Sequence, residues 1–196
     1  MKTIFVALIA GTLLGLLVIW LGLYNVAAND KHFSITSNLL QMVRERSIES
    51  RAAQLQVPDL NQVESIKEGA EHYAEMCTGC HLAPGMEETE LYSGLYPQPP
   101  VFSSQDYNNS PQNQFWVIKN GLKMTGMPAW SPSHTDDQIW EMVAYLQIAK
   151  TLSAKDYQEL SGASGDDLSH SHGDNDEYEE NTVKPDVSND GHQHSH

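Results

Sequence analysis

The five-residue motif Cys77-Thr78-Gly79-Cys80-His81 constrains this chain more than any other stretch of its sequence. Its two cysteines are the only cysteines present. Within one helical turn the first and fourth positions of such a motif lie on the same side, and the histidine follows directly. Two thiols in this arrangement can bond to the vinyl groups of a porphyrin, and the histidine can bind its iron. The motif therefore predicts one covalent haem c on Cys77 and Cys80, with His81 as the proximal iron ligand.

Three other uses of paired cysteines fit the surrounding sequence less well. A redox dithiol of this spacing belongs to a strand-helix context, whereas the residues before Cys77 have a helical pattern. A zinc site needs a second pair of ligands at suitable spacing, and the clustered histidines lie far away near the C-terminus. A disulfide across two intervening residues would be strained. Haem attachment is therefore the interpretation that we adopt.

The charge balance excludes one class of partner. The chain has 11 Lys and Arg against 26 Asp and Glu, for a formal net charge of −15. Because phosphate binding needs a basic surface, nucleic acid is not an expected partner. The segment from Ser153 to His196 contains 11 acidic residues and two lysines, a net charge of −9. Most of the negative charge therefore belongs to the end of the chain.

The N-terminal run from Ile4 to Leu23 is almost entirely apolar. Twenty helical residues span about 30 Å, which is the thickness of the hydrocarbon core of a bilayer. Lys2 precedes the run, and Trp20 and Tyr24 lie near its far end, where interfacial aromatic residues are common. The run predicts a transmembrane anchor within residues 1–28, with a signal peptide cleaved after Val26-Ala27-Ala28 as the alternative. Either segment would export the rest of the chain, which predicts a haem domain on the periplasmic side of a bacterial inner membrane.

Apolar residues recur at helical spacing on both sides of the haem motif. A first helix is predicted within residues 38–56, inside a connector that covers residues 29–61. A second helix should begin between residues 62 and 64 and run to the motif, and a third covers Asp136 to Ala149. Gly69 in the second helix costs about 1 kcal/mol relative to alanine, so it marks a close approach by another helix. We expect the third helix to cross there, near Met142 or Tyr145, within a haem domain of residues 62–152.

A second iron ligand is expected after Gly121, the predicted C-cap of a helix over residues 112–120. Thioether sulfur is a soft, uncharged ligand that favours Fe(II) and raises the reduction potential. In Gly126-Met127-Pro128 the proline favours extended backbone at the methionine, and the glycine permits a close approach to the iron. Met124 in the same segment is the alternative ligand, and sequence spacing leaves both open.

The C-terminal segment from Ser153 to His196 is predicted to be an acidic, histidine-rich tail. Beyond about Ser161 it consists almost entirely of small and polar residues, which predicts disorder. Imidazole and carboxylate groups suit divalent zinc, copper or nickel, so weak metal binding is one hypothesis for the tail. A purely solvating tail is the alternative, which we favour over any defined metal site. The clustered histidines are His170, His172, His192, His194 and His196.

The haem motif, the segment Gly126-Met127-Pro128-Ala129-Trp130 and the helix ending Ala144-Tyr145-Leu146 together resemble class I cytochromes c. The similarity is to the single-haem, membrane-anchored bacterial cytochromes related to the cytochrome c domain of cbb-type oxidase subunits. It covers roughly residues 64 to 150. The resemblance implies an all-α fold in which a few helices wrap around one covalent haem, here preceded by the transmembrane helix and followed by the tail.

The same resemblance implies roles for individual residues. His81 becomes the proximal and Met127 the distal ligand of the iron. A proline carbonyl is expected to accept a hydrogen bond from the proximal histidine, and Pro100 is the candidate. The implied function is electron transfer between donor and acceptor proteins, as a carrier rather than an enzyme. A haem subunit of a larger oxidase or dehydrogenase and a peroxidase-like enzyme with an open sixth site are the alternatives.

Overall fold

The computed structural model describes residues 1–163, and this part of the chain is helical, without β-strands. The elements are α1 Lys2–Trp20, α2 Ser34–Ala52, α3 Val63–Met76, α4 Thr78–His81, α5 Glu90–Gly94, α6 Pro111–Asn120, α7 Asp136–Ile148, a 3-10 turn Ala149–Thr151 and α8 Ala154–Ser161. The predicted all-α class is confirmed. The histidine clusters of the tail lie outside the described residues.

The core is organised around the crossing of α3 and α7. A Cβ atom built on Gly69 would overlap the backbone carbonyl of Glu141 and lie 3.0 Å from the backbone nitrogen of Met142. The helices are therefore so close that only glycine fits between them. The predicted crossing at Gly69 is confirmed near Met142, and it is the backbone of α7 that makes the contact. Tyr145 packs instead against Tyr73, with ring centroids 4.8 Å apart.

Helix α8 changes the predicted end of the haem domain. The sequence predicts a tail from Ser153 onward, but Ala154–Ser161 forms a helix that packs against α3. Ser153 caps this helix through a reciprocal capping box with Asp156, and the side chain of Tyr157 is fully buried. The acidic residues of α8 face solvent, as expected for an amphipathic helix. The predicted boundary at residue 152 is therefore too early. The acidic residues of this segment indicated a tail, whereas the burial of the single aromatic side chain of Tyr157 makes α8 part of the domain.

Helix α2 begins and ends four residues earlier than predicted, from Ser34 to Ala52. Its C-terminal half packs against α6 and buries Ile48 and Ala52. Its N-terminal half leaves several apolar side chains exposed. The helix thus packs on the haem domain through its C-terminal half, and just before its first residue His32 contacts Tyr96 of the domain.

Helix α1 has 19 residues and a mean hydropathy of 2.5, so it is long and apolar enough to cross a membrane. None of its residues is buried against the described part of the protein. A signal sequence at an N-terminus meets the same criteria, so the anchor and the cleaved signal both stay predictions.

Candidate functional site

The haem motif lies at the junction of α3 and α4. Helix α3 ends at Met76, Cys77 occupies the junction, and Cys80 and His81 belong to the single turn of α4. The backbone N–H groups of Cys80 and His81 both donate to the carbonyl oxygen of Cys77, at 3.1 and 2.8 Å. The two cysteines therefore occupy one tight turn, as their spacing predicts, and neither forms a disulfide.

The environment of the two thiols does not suit thiolate chemistry. Burial raises the pKa of the Cys77 thiol to about 12, with the neighbouring Cys80 as a second cause. Burial also raises the pKa of Cys80. A redox dithiol needs a lowered pKa, because the thiolate is the attacking species. The raised pKa values therefore speak against a redox dithiol and leave haem attachment, which rests on the motif itself, unopposed.

The imidazole of His81 is oriented by a backbone carbonyl. Its Nδ1 lies 2.8 Å from the carbonyl oxygen of Pro100, to which an Nδ1–H group donates. This hydrogen bond leaves the lone pair of Nε2 free to bind a metal. Burial lowers the pKa of His81 and so favours the neutral, metal-binding form, although the hydrogen bond opposes that shift. The ring of Phe102 stacks on the imidazole, with centroids 4.6 Å apart.

A closed turn after α6 holds Met127. The backbone N–H of Leu122 donates to the carbonyl oxygen of Met127 at 3.1 Å. The hydroxyl of Thr125 donates to the carbonyl of Leu122 at 2.8 Å and accepts from the N–H of Met127 at 3.1 Å. Met127 packs against the core, whereas Met124 is 95% exposed with a φ of +59°. Of the two methionines that the sequence left open, the packed one is Met127.

The same segment is fastened along α6. The N–H of Trp130 donates to the carbonyl of Ile118, and that of Ser131 to the carbonyl of Lys119, each at 3.1 Å. Gly121 ends α6 with a φ of +65°, and a Cβ atom there would lie 2.7 Å from the backbone of residues 128 and 129. The ammonium of Lys119 pairs with Asp136 at 2.6 Å and ties α6 to the start of α7. The methionine segment is therefore held at both ends.

The residues brought together match the donor set of a c-type haem. Cys77, Phe102 and Met127 all pack against one core cluster, although they are distant in sequence. The set comprises two free thiols, a neutral imidazole with a free Nε2, and a half-buried thioether. Within residues 1–163, no group of three or more His, Cys, Asp or Glu side chains is placed to bind a metal ion directly. Two thiols beside a histidine with a free Nε2 are the groups that hold iron in a covalently attached porphyrin.

Sequence reasoning missed a cluster of three buried tyrosines beside Cys77, formed by Tyr73, Tyr145 and Tyr157. The hydroxyl of Tyr73 donates to the carbonyl of Leu82 at 2.5 Å. Within the described residues, the hydroxyls of Tyr145 and Tyr157 are buried without a hydrogen-bond partner. Burial raises the pKa of all three phenols, so they are neutral. Sequence reasoning also overlooked the role of Phe102, because no local pattern predicts that its ring stacks on His81.

Residues 64–146 match the family model described as cytochrome c oxidase, cbb3-type, subunit III. No curated protein matches the chain. Among solved structures, the chain is similar to one in the Kuenenia stuttgartiensis reducing HAO-like protein complex Kustc0457/Kustc0458, at 24% identity and a TM-score of 0.39. The match covers 47% of this chain and 44% of that one, so less than half of that protein is represented. A similarity of this degree carries no argument about function.

The helical fold, the haem motif and the family match define residues 64–146 as a class I c-type cytochrome domain. Within that class, the domain is related to the cytochrome c subunit of cbb3-type oxidases. Its cofactor is covalent haem c, for which Cys77 and Cys80 have the required spacing. The predicted resemblance and cofactor are confirmed, and a domain of this class transfers electrons through its haem iron.

Proposed function

We propose that this protein is a membrane-anchored electron carrier in which His81 and Met127 would both bind the iron of a covalent haem c. The observation that carries the proposal is the 2.8 Å hydrogen bond between Nδ1 of His81 and the carbonyl oxygen of Pro100. This hydrogen bond fixes the tautomer that leaves Nε2 available. A histidine that binds a metal through one ring nitrogen usually donates the N–H of the other to a carbonyl group, as His81 does here. The bound haem supplies one-electron chemistry by cycling between Fe(III) and Fe(II).

The protein's own residues set the conditions for that chemistry. The Pro100 carbonyl orients the imidazole of His81, and Phe102 restricts rotation of its ring. Thr125 closes the turn that presents Met127, whose uncharged sulfur favours the reduced state. A protein side chain at the sixth position also keeps small molecules away from the iron, which separates a carrier from a peroxidase-like enzyme.

The proposed location depends on the N-terminal segment. We assign residues 1–28 to a retained inner-membrane anchor, residues 29–61 to a connector containing α2, and the periplasmic cytochrome domain to residues 62–161. The length and hydropathy of α1 support the anchor. Extraction of native membranes with carbonate tests it, because a cleaved and exported domain is released while an anchored one stays with the membrane.

A second candidate role is that of a haem subunit within a larger oxidase or dehydrogenase. The observation that favours it is the match to an oxidase subunit model over residues 64–146. Mild detergent solubilisation and sizing of the native haem protein distinguish the two roles. A stable high-mass complex supports the subunit, and a small haem protein with transient partners supports the carrier.

Visible spectroscopy tests the ligand assignment. Methionine-ligated ferric haem has a weak far-red charge-transfer band from sulfur to iron. We expect Met127→Ala to lose this band and become high-spin, while Met124→Ala keeps it, because Met124 is exposed and unpacked. High-spin iron in the unaltered protein would instead favour the enzyme with an open sixth site.

A further inference from the structure

The N-terminal half of α2 carries an apolar stripe that no other described part of the protein covers. It consists of Ile35, Leu39, Met42 and Val43. These residues are 58–80% exposed. Steps of four, three and one residues place them on one side of a helix. The domain contact of α2 uses a different face, through Ile48 and Ala52 against α6. The helix thus has one face on the cytochrome domain and a second apolar face without a partner in residues 1–163.

Aromatic contacts hold the start of α2 beside the end of α1. The hydroxyl of Tyr24, four residues beyond α1, is hydrogen-bonded to Nδ1 of His32, two residues before α2, at 2.8 Å. The rings of Tyr24 and His32 are stacked, with centroids 6.2 Å apart. The N–H of His32 donates to the hydroxyl of Tyr96 in the cytochrome domain at 3.3 Å. The connector therefore folds back on itself, so that the stripe begins close to the point at which α1 ends.

The same helix contains all three arginines of the chain. Arg44, Arg46 and Arg51 lie in α2 together with Glu45 and Glu49, so the helix has a formal charge of +1 in a chain whose net charge is −15. Arg46 follows Met42 by four residues on the face of the stripe, and its side chain is 82% exposed. It forms an ion pair with Glu49 at 3.5 Å, but an exposed pair of this kind contributes little stability and can exchange for a phosphate. A guanidinium group binds phosphate oxygens in a bidentate way, and anionic lipids attract basic segments near a membrane surface. Helices that lie in a membrane interface combine an apolar face with basic residues, and α2 has both an apolar stripe and exposed arginines.

We propose that the N-terminal half of α2 lies in the surface of the bilayer that α1 enters, with the stripe at the boundary of headgroups and acyl chains. Arg46 then contacts the phosphates of anionic lipids. The inference rests on the proposed retention of α1 as an anchor. Because α2 also packs on α6, this contact orients the cytochrome domain on the membrane, whereas a flexible tether would leave it free to rotate.

The experiment uses the full-length holoprotein in liposomes of phosphatidylethanolamine and phosphatidylglycerol. A keto amino acid, p-acetylphenylalanine, replaces either Leu39 in the stripe or Gln41, which is exposed on the other side of the same turn. Each variant receives a nitroxide label on the ketone, which spares the cysteines that bind haem. Collision rates with oxygen, which concentrates in lipid, and with a water-soluble nickel chelate report the surroundings of each label.

We expect the ratio of oxygen to nickel collisions to be several-fold higher at position 39 than at position 41. Equal, water-like ratios at both positions in protein that floats with the liposomes overturn the proposal and leave the anchor intact. Loss of collisions with both reagents at position 39 also overturns it, because protein rather than lipid then covers the stripe. Protein that fails to float with the liposomes refutes the anchor itself. An unchanged haem spectrum in both variants shows that the cytochrome domain is folded.

Discussion

Gly69 of α3 lies against the backbone carbonyl of Glu141 in α7, with no space between them for a methyl group. This contact sets the distance between the two helices that carry most of the core. It also brings the side chain of Glu141 close to Glu68 and to His72 on α3. The close approach of the two helices therefore also places these ionisable side chains near one another.

Replacing Gly69 with alanine should destabilise the domain by about 3 kcal/mol, because a new methyl group forces the backbones of the two helices apart. The measurement is the free energy of unfolding of the holoprotein in guanidinium chloride. Gly94→Ala is the matched control, since a Cβ atom at Gly94 meets nothing within 4 Å. Equal stabilities of the two variants would contradict the close crossing.

Glu141 should make stability depend on pH. The pKa of Glu141 is raised from 4.5 to about 7. Burial is the largest cause, and a hydrogen bond with Glu68 and the negative charges of Glu68 and Asp137 raise it further. The folded state thus holds a proton that the unfolded chain releases near pH 4.5. This stabilisation is complete below pH 4.5 and is lost as the pH rises to about 7.

We therefore expect Glu141→Gln to match the unaltered protein at pH 4.5 and to exceed its stability by about 1 kcal/mol at pH 8, after allowance for solvent screening. Denaturant titrations at the two pH values measure the difference. Glu75→Gln, at an exposed position on α3, is the control. The comparison is repeated in a protein that carries His72→Gln, because the imidazole of His72 lies 4.0 Å from Glu141 and its own charge would otherwise contribute to the difference. A constant difference between variant and parent across this range would exclude the proton on Glu141.

Thr125→Val should weaken the proposed bond between Met127 and iron without unfolding the domain. The substitution keeps the side-chain shape but removes the hydroxyl that bonds both Leu122 and Met127. Two hydrogen bonds of about 1 kcal/mol each stabilise this turn, so added imidazole should displace the methionine up to roughly thirty-fold more easily. Optical titration with imidazole measures the change, and Thr125→Ser, which retains the hydroxyl, should behave as the unaltered protein. Equal imidazole affinities for the valine and serine variants would show that the turn does not position Met127.

Tyr157→Ala should cost about 3–5 kcal/mol, because it empties a fully buried site between α8 and the core. Tyr157→Phe should be nearly neutral, since the hydroxyl it removes has no hydrogen-bond partner in the described residues. Thermal unfolding of the holoprotein separates the two variants. If Tyr157→Ala were as stable as Tyr157→Phe, α8 would not unfold together with the rest of the domain, and its packing would not contribute to stability.

Features encoded by local spacing are predictable from the amino-acid sequence alone. The haem motif, the helix that leads to it and Gly121 as a C-cap all depend on neighbours within a turn or two. Gly69 shows in the sequence as a glycine inside a helix, although its partner Glu141 is a distant residue. The length and apolar character of α1 belong to the same class. Each is determined by helix geometry and by the chemistry of a few adjacent residues.

Contacts between distant parts of the chain were decided by the tertiary structure alone. The packing of Met127 rather than Met124, the stacking of Phe102 on His81 and the burial of Tyr157 all depend on how loops return to the core. Pro100 came from a family resemblance, and only the folded chain brings its carbonyl to the imidazole. The sequence by itself thus determined which chemistry this protein can carry. The folded chain decided which residues surround it, because side-chain packing depends on the whole fold rather than on local spacing.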